Sequence, residues 1–202
     1  ILATGAPWRD LPARFGSCKT VHRYFTHWQA DGVFLRVLNA LQIKLDEKGL
    51  IDWGLWCVDG ASVRASRAAG GADKKVSNDI HDSTWAESVV SWALVYFLGE
   101  HDEVRTPVKV ACDKGYSLGR LREWLADHCI DAVIPHKENE RARHDPNMTF
   151  DRETYRRRCV IEQCVGWLKE ARRIGTRFEK LAVNFLGMLH LAMIKRYLRV
   201  MF

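Results

Sequence analysis

Residues Tyr155-Arg156-Arg157-Arg158-Cys159-Val160-Ile161-Glu162, followed by Lys169, set four polar groups at the spacing Tyr-x2-Arg-x3-Glu-x6-Lys. At 100° per residue these four positions fall within a wedge of roughly 60° on one helix face. Apolar residues occupy the opposite and flanking arc: Val160, Ile161, Cys164, Val165 and Leu168. The pattern predicts a helix that packs on a core and presents one carboxylate among three groups able to bind phosphate.

The same spacing is also typical of a solvated helix face, whose ion pairs contribute only about 0.2–0.5 kcal/mol each. Two aspartates upstream favour a site instead. Asp59 ends the apolar run from Leu55 to Val58, and Asp113 ends the run from Val108 to Cys112. A lone Asp after a strand usually forms a turn or a helix cap. As a pair on neighbouring strands, however, the two carboxylates can share one hard cation.

A strand-helix-strand unit is predicted from Val108–Cys112, a helix starting at Ser117, and Ile130–Ile134. Its two strands should be parallel, and functional groups in such sheets collect at the carboxyl ends of strands. Together with Glu162, the two aspartates would form the sparse carboxylate cluster that Mg²⁺ prefers. Two such ions roughly 3.5–4 Å apart support an in-line phosphoryl displacement.

Residues 17–49 predict two helices joined by a tight turn at Gly32. Such a pair is often only packing, but four basic side chains also allow a DNA-contacting helix-turn-helix. These are Lys19, His22, Arg23 and Arg36. Residues 136–150 are polar without periodicity and are predicted to be a loop, for which a solvated role is favoured over DNA contact.

The formal charge is +6, and residues 151–180 hold nine Lys/Arg against five Asp/Glu, which suits a polyanionic partner. By contrast, residues 51–104 hold four Lys/Arg against nine Asp/Glu. The six Cys lack zinc-type spacing and indicate reduced thiols, as expected in a cytosolic protein. The apolar run from Leu181 to Ile194 is too short for a bilayer and predicts a buried helix, so no membrane partner is expected.

Several blocks of the chain resemble the DDE transposases of bacterial insertion sequences, specifically the insertion-sequence-five group. They are the signature above, Gly5-Ala6-Pro7-Trp8-Arg9-Asp10-Leu11-Pro12, Val58-Asp59-Gly60-Ala61-Ser62-Val63-Arg64-Ala65, Ala111-Cys112-Asp113-Lys114-Gly115-Tyr116, Ala132-Val133-Ile134-Pro135 and residues 173–185. The resemblance implies an α/β fold of the ribonuclease-H-like type, with a mixed sheet flanked by helices. A small helical module, residues 1–50, would precede a catalytic domain, residues 51–202.

The resemblance also implies the chemistry. Asp59, Asp113 and Glu162 correspond to the catalytic, metal-binding triad, with Mg²⁺ or Mn²⁺ as two ions. Lys114, Arg158 and Lys169 would bind DNA phosphates, while Tyr155 would either position the scissile strand or support the helix. Partners would be the terminal inverted repeats, target DNA and further copies of the chain as a homo-oligomer. The location would be the bacterial cytoplasm, at the nucleoid.

The chain departs from the family between the aspartates, which only 53 residues separate. Segment 76–104 does not resemble the family. The codons of Thr84-Trp85-Ala86-Glu87, read two bases later, permit a family-like Leu-Gly-Arg, which favours a shifted reading frame followed by a deletion. An active transposase, a catalytically inactive DNA-binding remnant and a general nuclease therefore remain as alternatives. Because Ile1 lies within a family-like run, a preceding portion is also expected.

Overall fold

The computed structural model describes residues 1–60, 88, 90, 105–117, 119–137, 150–176 and 178–202. Apart from residues 88 and 90, segment 76–104, to which the hypothesis of a shifted reading frame applies, lies outside this set. Most of the predicted loop 136–150 also lies outside it. The helices in chain order are α1 (Cys18–Ala30), α2 (Val33–Glu47), α3 (Gly119–Asp127), α4 (Arg152–Arg156), α5 (Cys159–Glu170), α6 (Arg172–Gly175) and α7 (Ala182–Met201). The strands are β1 (Leu55–Val58), β2 (Lys109–Cys112) and β3 (Asp131–Val133).

The described residues form two compact units. One contains residues 1–50 and 164–202, and the other contains residues 51–60 and the described part of 88–163. The domain division predicted from the sequence, 1–50 and 51–202, stays a prediction. The packing adds that the C-terminal helix α7 shares a core with the N-terminal helices, because its apolar stripe faces theirs.

The helical unit is built around α1, α2 and α7. The predicted helix pair is confirmed, and the turn between the helices uses Gly32 at φ 68°, a left-handed conformation that suits glycine. Its core contains Phe25, Phe34, Ile174, Met188 and Ala192. A Cβ on Gly187 of α7 would lie 2.9 Å from the Phe25 ring, so glycine permits the close approach of the two helices.

The basic residues of the helix pair differ in exposure, since His22 is half-buried and the other three are exposed. His22 packs edge-on against Trp8 with ring centroids 5.0 Å apart, and Arg36 donates to the Asp31 carbonyl at the helix turn. Lys19 and Arg23 are exposed on α1. A helix-turn-helix contact with DNA would therefore depend on Lys19 and Arg23 more than on His22.

The second unit contains a sheet of three described strands in the order β1-β2-β3, with both pairs parallel. The predicted strand-helix-strand unit is confirmed. One sheet face packs against α3 through Val110, Cys112, Leu121, Leu125 and Ile134. The chain is thus α/β as predicted, while the mixed, ribonuclease-H-like sheet stays a prediction because the strands within the described residues are all parallel.

The opposite sheet face has a smaller apolar cluster and lies on the side of the predicted site residues. Leu55, Ala111 and Val133 form its apolar cluster, with Cys57 and Tyr155 packed against it. Side chains alternate between the two faces along a strand. On this face, Asp59 therefore follows Leu55 and Cys57, and Asp113 follows Ala111. The period of two therefore directs both aspartates towards Tyr155 and its neighbours.

The predicted buried helix at Leu181–Ile194 is confirmed as part of α7, which buries Asn184, Gly187, Met188, His190 and Ala192. Within the described part of the chain, no helix combines the length and apolar character that crossing a bilayer requires.

Candidate active site

Asp59 and Asp113 lie side by side at the carboxyl edge of the sheet. Val58 pairs with Cys112 at the last step of the parallel register, and each aspartate is the next residue along its strand. Neighbouring strands are about 4.8 Å apart. Both residues are partly buried. The two aspartates predicted to act as a pair therefore follow adjacent strands at equivalent positions.

A short turn after β2 holds the Asp113 carboxylate. Asp113 Oδ1 accepts a hydrogen bond of 2.8 Å from the Gly115 backbone N–H and caps the 3₁₀ turn Lys114–Tyr116. A Cβ on residue 115 would lie 2.9 Å from the same oxygen. Glycine at this position thus leaves room for the carboxylate, and only the Oδ1 oxygen is used by the cap.

The spacing predicted one uninterrupted helix for the signature segment, and this prediction is wrong. It is α4 and α5 joined by a turn at Arg157 and Arg158, and the N–H groups of residues 157, 158, 160 and 161 all bond three residues back. Such tight turning eclipses side chains three apart. Accordingly, the Arg158 guanidinium lies over the Tyr155 ring, 5.9 Å from its centroid.

Arg158 joins two of the three carboxylates. Its Nη1 lies 3.2 Å from Asp59 Oδ2, and its Nη2 lies 3.2 Å from Glu162 Oε1, one turn along α5. The Arg158 side chain is 14% exposed, Asp59 24% and Glu162 65%. Burial is the largest influence and lowers the pKa of Arg158. The hydrogen bond to Asp59, together with the charges of Asp59, Tyr155 and Glu162, outweighs burial, so the pKa is raised. Glu162 is thereby tied to the sheet edge.

Two further ion pairs fix the signature segment against the strands. Asp151 accepts from Thr154 N–H at the start of α4 and from Lys109 Nζ of β2 at 2.9 Å. The Thr154 hydrogen bonds, and then that from Lys109, hold the pKa of Asp151 well below its usual range. Arg157 pairs with Asp52, just before β1. These contacts were not predicted, because nothing in their sequence spacing marks them as partners.

Tyr155 is partly buried and packs with Leu55, Ala111 and Val133. The Phe150 ring lies 5.2 Å from its ring, centroid to centroid. This placement supports α4 against the sheet and provides the surface over which Arg158 lies.

The thiols next to this edge are neutral. Burial raises the pKa of Cys57, with Arg158 and Arg157 partly opposing it, and burial raises the pKa of Cys112 to about 12. All six cysteines are free. Near the aspartates they act as small apolar side chains rather than as nucleophiles.

The two predicted lysines are both exposed. Lys114 is exposed in the 3₁₀ turn directly after Asp113. Lys169 is exposed in the last turn of α5, seven residues beyond Glu162, and belongs to the helical unit. The structure thus joins Asp59, Arg158, Tyr155 and Glu162 to the strand edge that carries Asp113.

The oxygen chemistry of this edge suits a hard divalent cation. Asp59 Oδ1 accepts from the Gly60 N–H, and Asp113 Oδ1 accepts from the Gly115 N–H. In each aspartate it is Oδ1, and not Oδ2, that makes the hydrogen bond to the adjoining backbone turn. Among the residues that the structure describes, no three His, Cys, Asp or Glu side chains are close enough to hold one metal ion. Instead, the cation that contacts Asp59 and Glu162 is the Arg158 guanidinium.

Two family models match the chain. Residues 1–38 match the IS4/5 transposase family DUF4096, and residues 110–199 match the transposase DDE domain. Over these two stretches the chain is similar to the transposases of insertion sequences. The DDE match includes Asp113, Tyr155, Arg158, Glu162 and Lys169, and Asp59 precedes it along the chain.

A curated relative is also similar to part of the chain. The insertion element IS402 uncharacterized 16.2 kDa protein of Burkholderia cepacia is 43% identical over 67 residues, which are 32% of this chain and 46% of that protein. The match thus spans about half the length of this curated relative. No solved structure matches the chain.

Proposed function

We propose that the chain is a transposase that cleaves DNA at the ends of its element and transfers the freed 3′-hydroxyl into target DNA. The observation that carries this proposal is the pairing of Asp59 and Asp113 at equivalent positions after two paired parallel strands. Arg158 links Asp59 of this pair to Glu162, the carboxylate of the signature segment. The match to the DDE domain supports the same assignment.

The roles of the side chains follow from their chemistry. Asp59, Asp113 and Glu162 would hold Mg²⁺ or Mn²⁺, as two ions. When bound, these ions would neutralise charge on the scissile phosphate and activate the attacking oxygen. Arg158 presents a planar guanidinium that can bind a phosphate through two hydrogen bonds, whereas Lys114 and Lys169 supply point charges. Tyr155 holds Arg158 in position.

Its partners would be the terminal inverted repeats and target DNA, held by a homo-oligomer in the bacterial cytoplasm at the nucleoid. Because the contacts to DNA would be largely to phosphates, binding should weaken steeply as salt rises, owing to counterion release. The exposed Lys19 and Arg23 of α1 offer a second set of phosphate contacts.

The proposal is tested by incubating the full chain with a labelled duplex that carries the inverted repeat flanking its own coding sequence. We expect a nick at the element boundary that requires Mg²⁺ or Mn²⁺ and disappears with EDTA. A duplex of the same length and composition with a scrambled repeat is the control. Equal cutting of both duplexes would identify a general nuclease. Binding of the inverted-repeat duplex in a gel-shift assay without any cutting would contradict the proposed activity.

A second prediction concerns Gly115, whose N–H binds the Asp113 carboxylate. In Gly115→Ala the new methyl group displaces the Asp113 carboxylate, because its position lies 2.9 Å from Oδ1. Misplacing one reacting group by about 1 Å lowers rates by up to roughly a hundredfold, so we expect end cleavage to fall by about tenfold to a hundredfold. Initial rates of nicking at saturating Mg²⁺ measure the effect.

Gly119→Ala is the matched control, since its Cβ would meet only the far end of the Glu123 side chain at 3.9 Å. Its nicking rate should stay within about twofold of the wild type. Equal rates for the two variants would show that the position of the Asp113 carboxylate does not limit the reaction.

A further inference from the structure

The site contains a cation of its own. The Arg158 guanidinium contacts carboxylates from two different elements, Asp59 at the end of β1 and Glu162 in the first turn of α5. It is the least exposed of the three side chains, at 14%. A charged group so placed is held by its partners, because an unpaired buried charge is strongly unfavourable.

We propose that Arg158 is an exchangeable counterion that holds Asp59 and Glu162 in the absence of DNA, and that a DNA phosphate and a divalent cation displace it together. This inference rests on the proposed function, since it concerns the same carboxylates. It adds a coupling between the two ligands that the assignment of the triad does not contain.

The first step is a competition for oxygen atoms. Arg158 uses Oδ2 of Asp59, while Oδ1 already accepts from the Gly60 N–H. A divalent cation bound by Asp59 and Glu162 needs the oxygens that the guanidinium occupies, and a nearby positive charge repels it. Arg158 therefore weakens cation binding to the protein alone.

The second step is the release of Arg158. A phosphate offers the guanidinium two acceptor oxygens in the same planar geometry as a carboxylate. DNA can thus take over the arginine and free both carboxylates. By linkage, the factor by which DNA strengthens cation binding equals the factor by which the cation strengthens DNA binding.

The third step concerns the surroundings that keep the exchange local. Tyr155, over which the guanidinium lies, packs in the apolar cluster of the sheet, and Arg157 is paired with Asp52. The backbone that leads into Arg158 is therefore anchored independently of the Asp59 contact. The side chain can change partners while the turn stays in place.

The experiment is calorimetric titration of Mn²⁺ into the full chain, with and without the inverted-repeat duplex, without any readout of cleavage. For the wild type we expect Mn²⁺ to bind at least about tenfold more tightly with DNA, a coupling of ordinary size for linked sites. In Arg158→Gln, Mn²⁺ should bind about tenfold more tightly to the protein alone, and DNA should add less than about threefold.

Arg157→Gln is the matched control. It removes the same charge one residue away, from an exposed pair with Asp52 whose arginine is 59% exposed, and should leave Mn²⁺ affinity within about twofold. Equal effects of both variants would reduce the result to net charge and overturn the inference. Circular dichroism establishes that each variant is folded.

The wild type alone also decides the matter if Arg158→Gln fails to fold. DNA that leaves the Mn²⁺ affinity of the wild type unchanged would overturn the exchange, even where the end is nicked as proposed. If no Mn²⁺ binds with or without DNA, the metal assignment of the proposed function fails together with the inference. The two failures are thus distinguishable.

Discussion

Asp113→Asn is expected to lower the rate of metal-dependent end cleavage by at least about a hundredfold, while DNA affinity stays within about threefold. Asparagine keeps the shape of the side chain, and its amide oxygen still accepts from the Gly115 N–H, so the turn that follows β2 survives. What is lost is the negative charge at the sheet edge. Nicking rates and a gel-shift titration on the same duplex separate the two effects.

Asp131→Asn provides the matched control for this result. Asp131 is exposed and pairs in register with Lys109 at the start of the parallel strands, at the opposite end from Asp113. The same change of charge there should leave nicking within about twofold. Cleavage by Asp113→Asn at the wild-type rate would remove Asp113 from the catalytic group.

The strands could be predicted from the sequence because two local signals agree. Leu55–Val58 is a short apolar run ended by Asp59-Gly60, and the structure has a strand with these bounds. The run from Val108 to Cys112 gives Lys109–Cys112 in the same way. Parallel pairing then follows from the intervening helix. The alignment of Asp59 with Asp113 needs the register, which periodicity does not determine.

Residue spacing alone did not predict the structure of the signature segment. A period of 3.6 assumes an unbroken helix, whereas the hydrogen bonds at residues 157–161 run three residues back and divide the segment. The contact of Arg158 with Asp59 joins residues 99 apart in sequence. No local pattern reports such a pair, because its partner is chosen by packing between the segment and the strand.

The packing position of the C-terminal helix α7 also could not be predicted from the sequence. Its apolar stripe predicted a buried helix without saying which core would bury it. Gly187 is the closest to a signal, since a glycine inside a helix costs about 1 kcal/mol relative to alanine and so implies a close neighbour. That neighbour is the Phe25 ring of α1.

A buried ion pair in the helical unit carries the largest expected effect on stability. Arg173 donates to Glu179 Oε1 through Nε at 2.8 Å and Nη2 at 2.6 Å, and the two side chains are 7% and 6% exposed. Nη1 of Arg173 donates to the Ala6 carbonyl at 3.0 Å. The arginine thus ties the first residues of the chain to the segment before α7.

Glu179→Ala should lower the free energy of unfolding by about 3–5 kcal/mol, because it leaves the Arg173 charge buried without its counterion. Replacing both partners, as Arg173→Met with Glu179→Leu, should recover most of that loss, since the desolvation cost of both charges disappears. Asp10→Ala, which breaks the exposed pair with Arg9, should change stability by less than about 1 kcal/mol. Urea unfolding followed by far-ultraviolet circular dichroism measures all three. A loss in Glu179→Ala no larger than in Asp10→Ala would mean that water reaches Arg173, and the pair would then count as a surface contact.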